Sequence, residues 1–159
     1  MHSKSKRCFA RQPKTGFAAL PLLLLGGLVL AVVLYVVASN RQTLDGPKDV
    51  IWDKTACVFC AMHLGDPRFA AQLSTADGDT YFYDDPGCLF LHQHELERSQ
   101  TSIHSRWFHK MDGQGWINGS EVAFLRSENT PMDYGFGAVV AGSPDSIDLN
   151  AAAAEVLAQ

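Results

Sequence analysis

The sequence predicts an α+β domain with antiparallel pairing, built from two similar ββα(β) units and preceded by one N-terminal transmembrane helix. Three observations predict it: an uncharged apolar run near the start, a gapless self-similarity at an offset of 35 residues, and an Asp-Gly turn signal inside each copy. The organisation that follows is a basic tail over 1–16, an anchor over 17–39, a linker over 40–50 and a folded domain over 51–159.

The tail carries Lys4, Lys6, Arg7, Arg11 and Lys14 and no acidic residue. The run from Thr15 to Asn40 is uncharged and strongly apolar between Phe17 and Ala38. A helix crossing the hydrocarbon core needs roughly 20 apolar residues, and the apolar stretch of a cleaved signal peptide is usually about 7–15. Pro21 is tolerated because the first helical turn has unpaired N–H groups in any case. A cleaved leader remains the competing reading, with Val36-Val37-Ala38 as a passable cleavage site. The positive charges all precede the run, which keeps that end cytoplasmic and sends the rest outside.

The 119 residues after Asn40 hold all 17 acidic residues and eight of the 13 Lys/Arg, a balance of −9 against +5 for the tail. No basic patch is visible in them, which argues against a nucleic-acid partner. They are numerous enough to bury a core without staples.

Within this outer segment, FAAQLSTADGDTYFYDDPGCLF at 69–90 aligns with HSRWFHKMDGQGWINGSEVAFL at 104–125. Asp77-Gly78 lies over Asp112-Gly113 and Asp85 over Ser120. Asp-Gly between strand-like runs marks a hairpin because it tolerates positive φ. Asp85 before Pro86, and Ser120 before Glu121, are helix-start signatures. Each copy therefore reads as strand, turn, strand, cap, helix. A further strand is expected around Gly135–Ala141. A terminal helix is expected over 148–159, with Ser143-Pro144 as a possible cap. The expected core is Phe69, Leu73, Phe82, Leu89, Phe90, Trp107, Trp116, Ile117, Phe124, Leu125 and Val139.

Chemistry concentrates on sulfur. Cys8 precedes the apolar run and has no evident role, which leaves Cys57, Cys60 and Cys88 outside. Three is an odd number for a disulfide framework. In Cys57-Val58-Phe59-Cys60-Ala61-Met62 the two cysteines can meet one metal across a turn. If the chain is extended after Cys60, Met62 joins it on the same face and Ala61 points away. Thiolate and thioether donors select Cu(I) over harder cations. A plain Cys57–Cys60 disulfide is the bland alternative.

Cys88 falls at the third position of a helix capped by Asp85, where the positive field of the helix start favours thiolate. Simple core packing is its competing role, and His92 lies one turn further on the same face. Met132, in Thr130-Pro131-Met132-Asp133-Tyr134-Gly135, sits in a turn, where it is either a ligand or an adaptable gap-filler. His63 is an outlying ligand candidate. No hydroxyl nucleophile, base and orienting carboxylate form a recognisable catalytic motif, so the sequence offers no positive case for an enzyme.

Taken together, CVFCAM at 57–62, RFAAQL at 68–73, YFYDDPGCLFL at 81–91, GWINGSEVAFL at 115–125 and TPMDYGFGAVV at 130–140 resemble the NosL family, copper-binding accessory proteins of nitrous oxide reductase maturation. The resemblance implies two ββαβ units and a periplasmic Cu(I) carrier on the bacterial inner membrane. Its partners would be the copper-enzyme assembly machinery or the copper enzyme itself. It implies metal ligands at Cys57, Cys60, Met62 and Met132, with Cys88 weaker; His63, the weakest candidate, comes from this sequence and not from the resemblance. This chain departs from the family in three ways. No lipid-bearing cysteine ends the apolar run, Ala61 stands where glycine is common, and His63 replaces an aliphatic residue. A helix-anchored carrier could also serve another copper enzyme, such as a terminal oxidase.

Two readings compete with the carrier. One is a membrane-anchored thiol–disulfide oxidoreductase using Cys57 and Cys60, which requires the motif to open a helix. The other is a structural zinc module using Cys57, Cys60, Cys88 and His92, which would unfold without metal.

Overall fold

A computed structural model describes residues 19–42 and 46–159, with side chains in the first stretch described for 23–37. The chain divides into two units at Arg41/Gln42. The first contains helix α1, Ala19–Gln42. Its bulky side chains from Leu23 to Val37 are exposed on every face. Among the described residues no helix is long and apolar enough to cross a membrane. The expected anchor over 17–39 extends beyond the described side chains at both ends, and the basic tail with Cys8 lies outside the described residues.

The second unit is α+β with antiparallel sheets. β1 (Ala71–Thr75) and β2 (Thr80–Tyr83) form the first expected hairpin, with Leu73 opposite Tyr81. Gly78 in its turn has φ 102°, a conformation open to glycine at no steric cost. Helix α2 (Pro86–Arg98) starts where the sequence places it: Asp85 is extended and accepts the Gly87 N–H, and Pro86 fills the first turn.

β3 (Ile103–His109) pairs with β1, and β4 (Trp116–Asn118) pairs with β3. The four-stranded sheet therefore runs β2-β1-β3-β4. A second sheet, ordered β6-β5-β7, contains β5 (Val122–Arg126), β6 (Phe136–Val140) and β7 (Ile147–Asp148). A parallel bridge between Lys110 and Ala138 ties the end of β3 to β6. Helix α3 (Leu149–Leu157) closes the chain.

The second copy of the repeat keeps its hairpin but not its helix. Residues after Ser120 form β5 instead. The Ser120 N–H and hydroxyl both donate back to Asn118 Oδ1, at 2.9 and 2.8 Å, so the expected cap is spent inside a tight turn. Val122, Ala123 and Phe124 are then buried in succession, as suits a strand covered on both faces. The terminal helix is capped by Asp148, whose side chain accepts the Ala151 N–H, rather than by Ser143, whose hydroxyl donates to Val140 O.

Phe69, Leu73, Leu89, Phe90, Ile117 and Phe124 are buried as the sequence predicts. Phe82, Trp107, Trp116, Leu125 and Val139 are only half-buried. The centre belongs instead to Phe90, Phe108, Phe124 and Phe136, whose rings meet mostly edge to face with centroids 5.1 to 6.4 Å apart. Fully burying each such ring contributes about 1.5–3 kcal/mol. The linker joins the domain by Lys48: its N–H donates to Gln72 Oε1 and its C=O accepts from Gln72 Nε2, at 2.7 and 2.8 Å.

Candidate metal centre

Two chain segments converge at the edge of β2. The first is a loop whose base is the antiparallel bridge between Ala56 and His63. The Cys57 N–H donates to Met62 O at 2.7 Å, and the Ala61 N–H donates to Cys57 O at 3.0 Å. The chain turns tightly between them, with Ala61 at φ 64°. Val58 N–H donates to Phe82 O at 3.0 Å, which docks the loop on β2, and fully buried Leu64 anchors its exit. The second segment is Asp84 to Cys88, where β2 passes into α2.

Cys57, Cys60, Asp84 and Cys88 each present a ligand atom within 4.8 Å of the others, and together they can hold a metal ion. All three cysteines are free thiols. The Cys60 thiol donates to Asp84 Oδ1 at 3.1 Å. Asp84 Oδ2 is buried and has no hydrogen-bond partner. Cys57, Asp84 and Cys88 are at most 2% exposed, whereas Cys60 is half-buried, so the cluster opens at Cys60.

The three thiols differ sharply in acidity. Cys57 is held down to about 6, first by the hydrogen bond from the Cys88 thiol, against burial, and then by the backbone N–H groups of Cys60, Asp84 and Phe59. Cys88 is pushed up because it donates to Cys57, because it is buried and because negative charges surround it. Burial pushes Cys60 up to about 12, helped by its bonds to Asp84 and Cys57 and opposed by the Met62 backbone. Cys57 is thus the most acidic of the three thiols. The field of the helix start favours an ionised Cys88, whereas burial and the neighbouring Cys57 and Asp84 push its acidity the other way.

The structure therefore joins Cys57, Cys60 and Cys88, and makes Cys88, the weaker candidate, a full member of the cluster. Sequence reasoning missed Asp84. Its only signal was redundancy, since Asp84-Asp85 supplies two carboxylates where capping needs one. Positive φ at Ala61 breaks the extended chain expected after Cys60, so strand alternation does not bring Met62 to the face of Cys60. Met62 is 47% exposed at the loop base. Met132 is half-buried against the core to which Cys57 and Cys88 belong, and its N–H donates to Asp85 Oδ2 at 3.1 Å. That bond ties the 130–135 turn to the start of α2.

His63 is exposed and is not one of the four clustered donors. His92 is not one of them either; its Nδ1 lies 2.8 Å from the Tyr83 hydroxyl, and Asp84 takes the fourth position instead. Cys57-Val58-Phe59-Cys60 lies in a turn and opens no helix, the setting that the oxidoreductase reading requires. Comparison with protein-family models, curated proteins and solved structures finds no match to this chain.

Proposed function

We propose that this chain is a membrane-anchored, extracytoplasmic Cu(I) carrier that assists copper-site assembly in nitrous oxide reductase or a related copper enzyme. The observation that carries the reading is the convergence of three reduced cysteine sulfurs from two chain segments, with one of them at the open side. Soft sulfur donors suit Cu(I). A carrier must also release its ion, and transfer through shared ligands needs at least one donor that a recipient can reach. Cys60 has that exposure, and Met62 stands exposed two residues on.

The methionines extend the proposal. Met62 would complete the open side of the pocket, and Met132 would close it from the turn held by Asp85. The apolar run over 17–38, together with α1 and its exposed Leu and Val side chains, supports the membrane anchor. The resemblance to NosL proteins supplies the expected recipient. The turn conformation of the Cys57–Cys60 motif weighs against the oxidoreductase reading, although the free thiols keep it testable.

The experiment is an anaerobic Cu(I) titration of the full chain in detergent against a chromophoric Cu(I) chelator. Tight one-to-one binding, weakened by Cys60→Ser and by Met132→Leu, is the expected result. Wild-type affinity in Met132→Leu would remove that methionine from the site. Disulfide exchange activity in the metal-free chain, with no Cu(I) binding, would overturn the carrier reading in favour of the oxidoreductase.

A further inference from the structure

Sulfur ligation of Cu(I) leaves Asp84 unexplained. Its carboxylate is 2% exposed, one oxygen accepts the Cys60 thiol and the other has no partner. Burying a carboxylate oxygen without a donor is costly, so buried carboxylates are paired with a cation or coordinate one. Among the described residues, Arg68, Lys110 and Arg126 form their ion pairs with Asp66, Asp112 and Glu155 and not with Asp84. Three cysteine sulfurs lie within 4.8 Å of one of its oxygens.

Three thiolates and one carboxylate make a four-donor set of the kind that binds zinc tetrahedrally. Cu(I), being softer, gains little from the oxygen. Zn–S bonds of about 2.3 Å and Zn–O of about 2.0 Å place tetrahedral donors roughly 3.5–3.8 Å apart. Donors already within 4.8 Å reach that spacing by side-chain rotation, with the Cys60–Asp84 pair moving apart from 3.1 Å as the ion replaces their shared proton.

We infer that Asp84 is the fourth ligand of a zinc-class divalent site formed with Cys57, Cys60 and Cys88, and that this site overlaps the Cu(I) pocket so that the two ions exclude each other. The inference rests on the metal-binding reading of the cluster but not on either methionine. On binding, each thiol that becomes a ligand releases its proton to solvent and no electron is transferred. Zinc would then occupy the carrier between deliveries, and copper loading would be a metal exchange.

The test uses the full chain in detergent, reduced and anaerobic. Zn2+ is titrated against a chromophoric chelator, Co2+ serves as a spectroscopic substitute, and wild type is compared with Asp84→Asn and Met132→Leu. Wild type should show the intense visible bands of tetrahedral Co2+ with thiolate charge transfer. Asp84→Asn should lose about 10–100-fold or more in Zn2+ affinity while its far-ultraviolet circular dichroism stays that of wild type, which reports that it is folded. Met132→Leu should bind Zn2+ as wild type does, and Cu(I) should displace Zn2+ one for one.

Unchanged Zn2+ affinity and Co2+ bands in Asp84→Asn would overturn the inference, as would simultaneous binding of both ions. X-ray absorption of the zinc-loaded wild type gives an arm that needs no variant: three sulfurs and one oxygen are expected, and a fourth sulfur or an imidazole nitrogen would refute the assignment. Failure of the carrier reading looks different, as Zn2+ binding without Cu(I) binding.

Discussion

Ala61 closes the metal loop with φ 64°, a conformation that costs a residue bearing a Cβ roughly 1–2 kcal/mol. Glycine avoids that cost but loses about 0.5–1 kcal/mol in backbone entropy. Ala61→Gly should therefore stabilise the metal-free chain by on the order of 0.5–1 kcal/mol, read as a higher urea midpoint at unchanged m-value. A lower midpoint would mean the turn is not as strained as its dihedral implies. Cys57 gives a second test at this scale. Its acidity is raised by folding, so the unfolded chain binds more protons between pH 6 and 9 and stability should rise across that window. Above pH 9 the sign reverses, because folding holds Cys60 and Cys88 as thiols that the unfolded chain would ionise. Cys57→Ser should abolish the rising limb in urea midpoints measured against pH; a limb that survives would place the thiolate elsewhere.

The start of α2 is the element on which the site depends. Asp85 uses both oxygens as acceptors, one for the Gly87 N–H at 2.8 Å and one for the Met132 N–H at 3.1 Å, and burial raises its pKa. Asparagine has a single acceptor oxygen, so Asp85→Asn turns an NH2 toward one of these donors. It should cost about 1–3 kcal/mol, although asparagine is ordinarily a good cap. Gly87 is constrained differently: a Cβ there would fall inside the Tyr134 ring. Gly87→Ala should destabilise by about 1–3 kcal/mol and push away the turn carrying Met132. A crystal structure or an urea melt of either variant decides the point, and wild-type stability in both would mean the turn is not clamped to the helix. This element was readable because Asp85-Pro86 specifies its own cap locally. The helix expected after Ser120 was not, because Ser120 shows the same local signal while Asn118 competes for its hydroxyl. Asp84 and Cys57 illustrate the same limit within the site. Their meeting depends on the Val58–Phe82 hydrogen bond, a tertiary contact that no residue spacing encodes.

At the scale of the whole molecule, the fold and the metal centre rest on different interactions. The aromatic centre formed by Phe90, Phe108, Phe124 and Phe136, and the strands β1 and β3, contain none of the four metal-cluster donors. A domain whose structure came from its ion would unfold on chelation, as zinc fingers do. The large side chains of the second unit are buried against one another, and Asp84 with its orphaned oxygen is the residue most in need of an ion. Metal removal should therefore leave the far-ultraviolet circular dichroism unchanged. It should lower the melting temperature only by the linkage term, about 2.7 kcal/mol for an ion at 100 times its dissociation constant. The same term should shrink in Asp84→Asn loaded with zinc. Loss of secondary structure on chelation would make the ion a structural part of the domain, and a carrier cannot give up an ion that holds its own fold together.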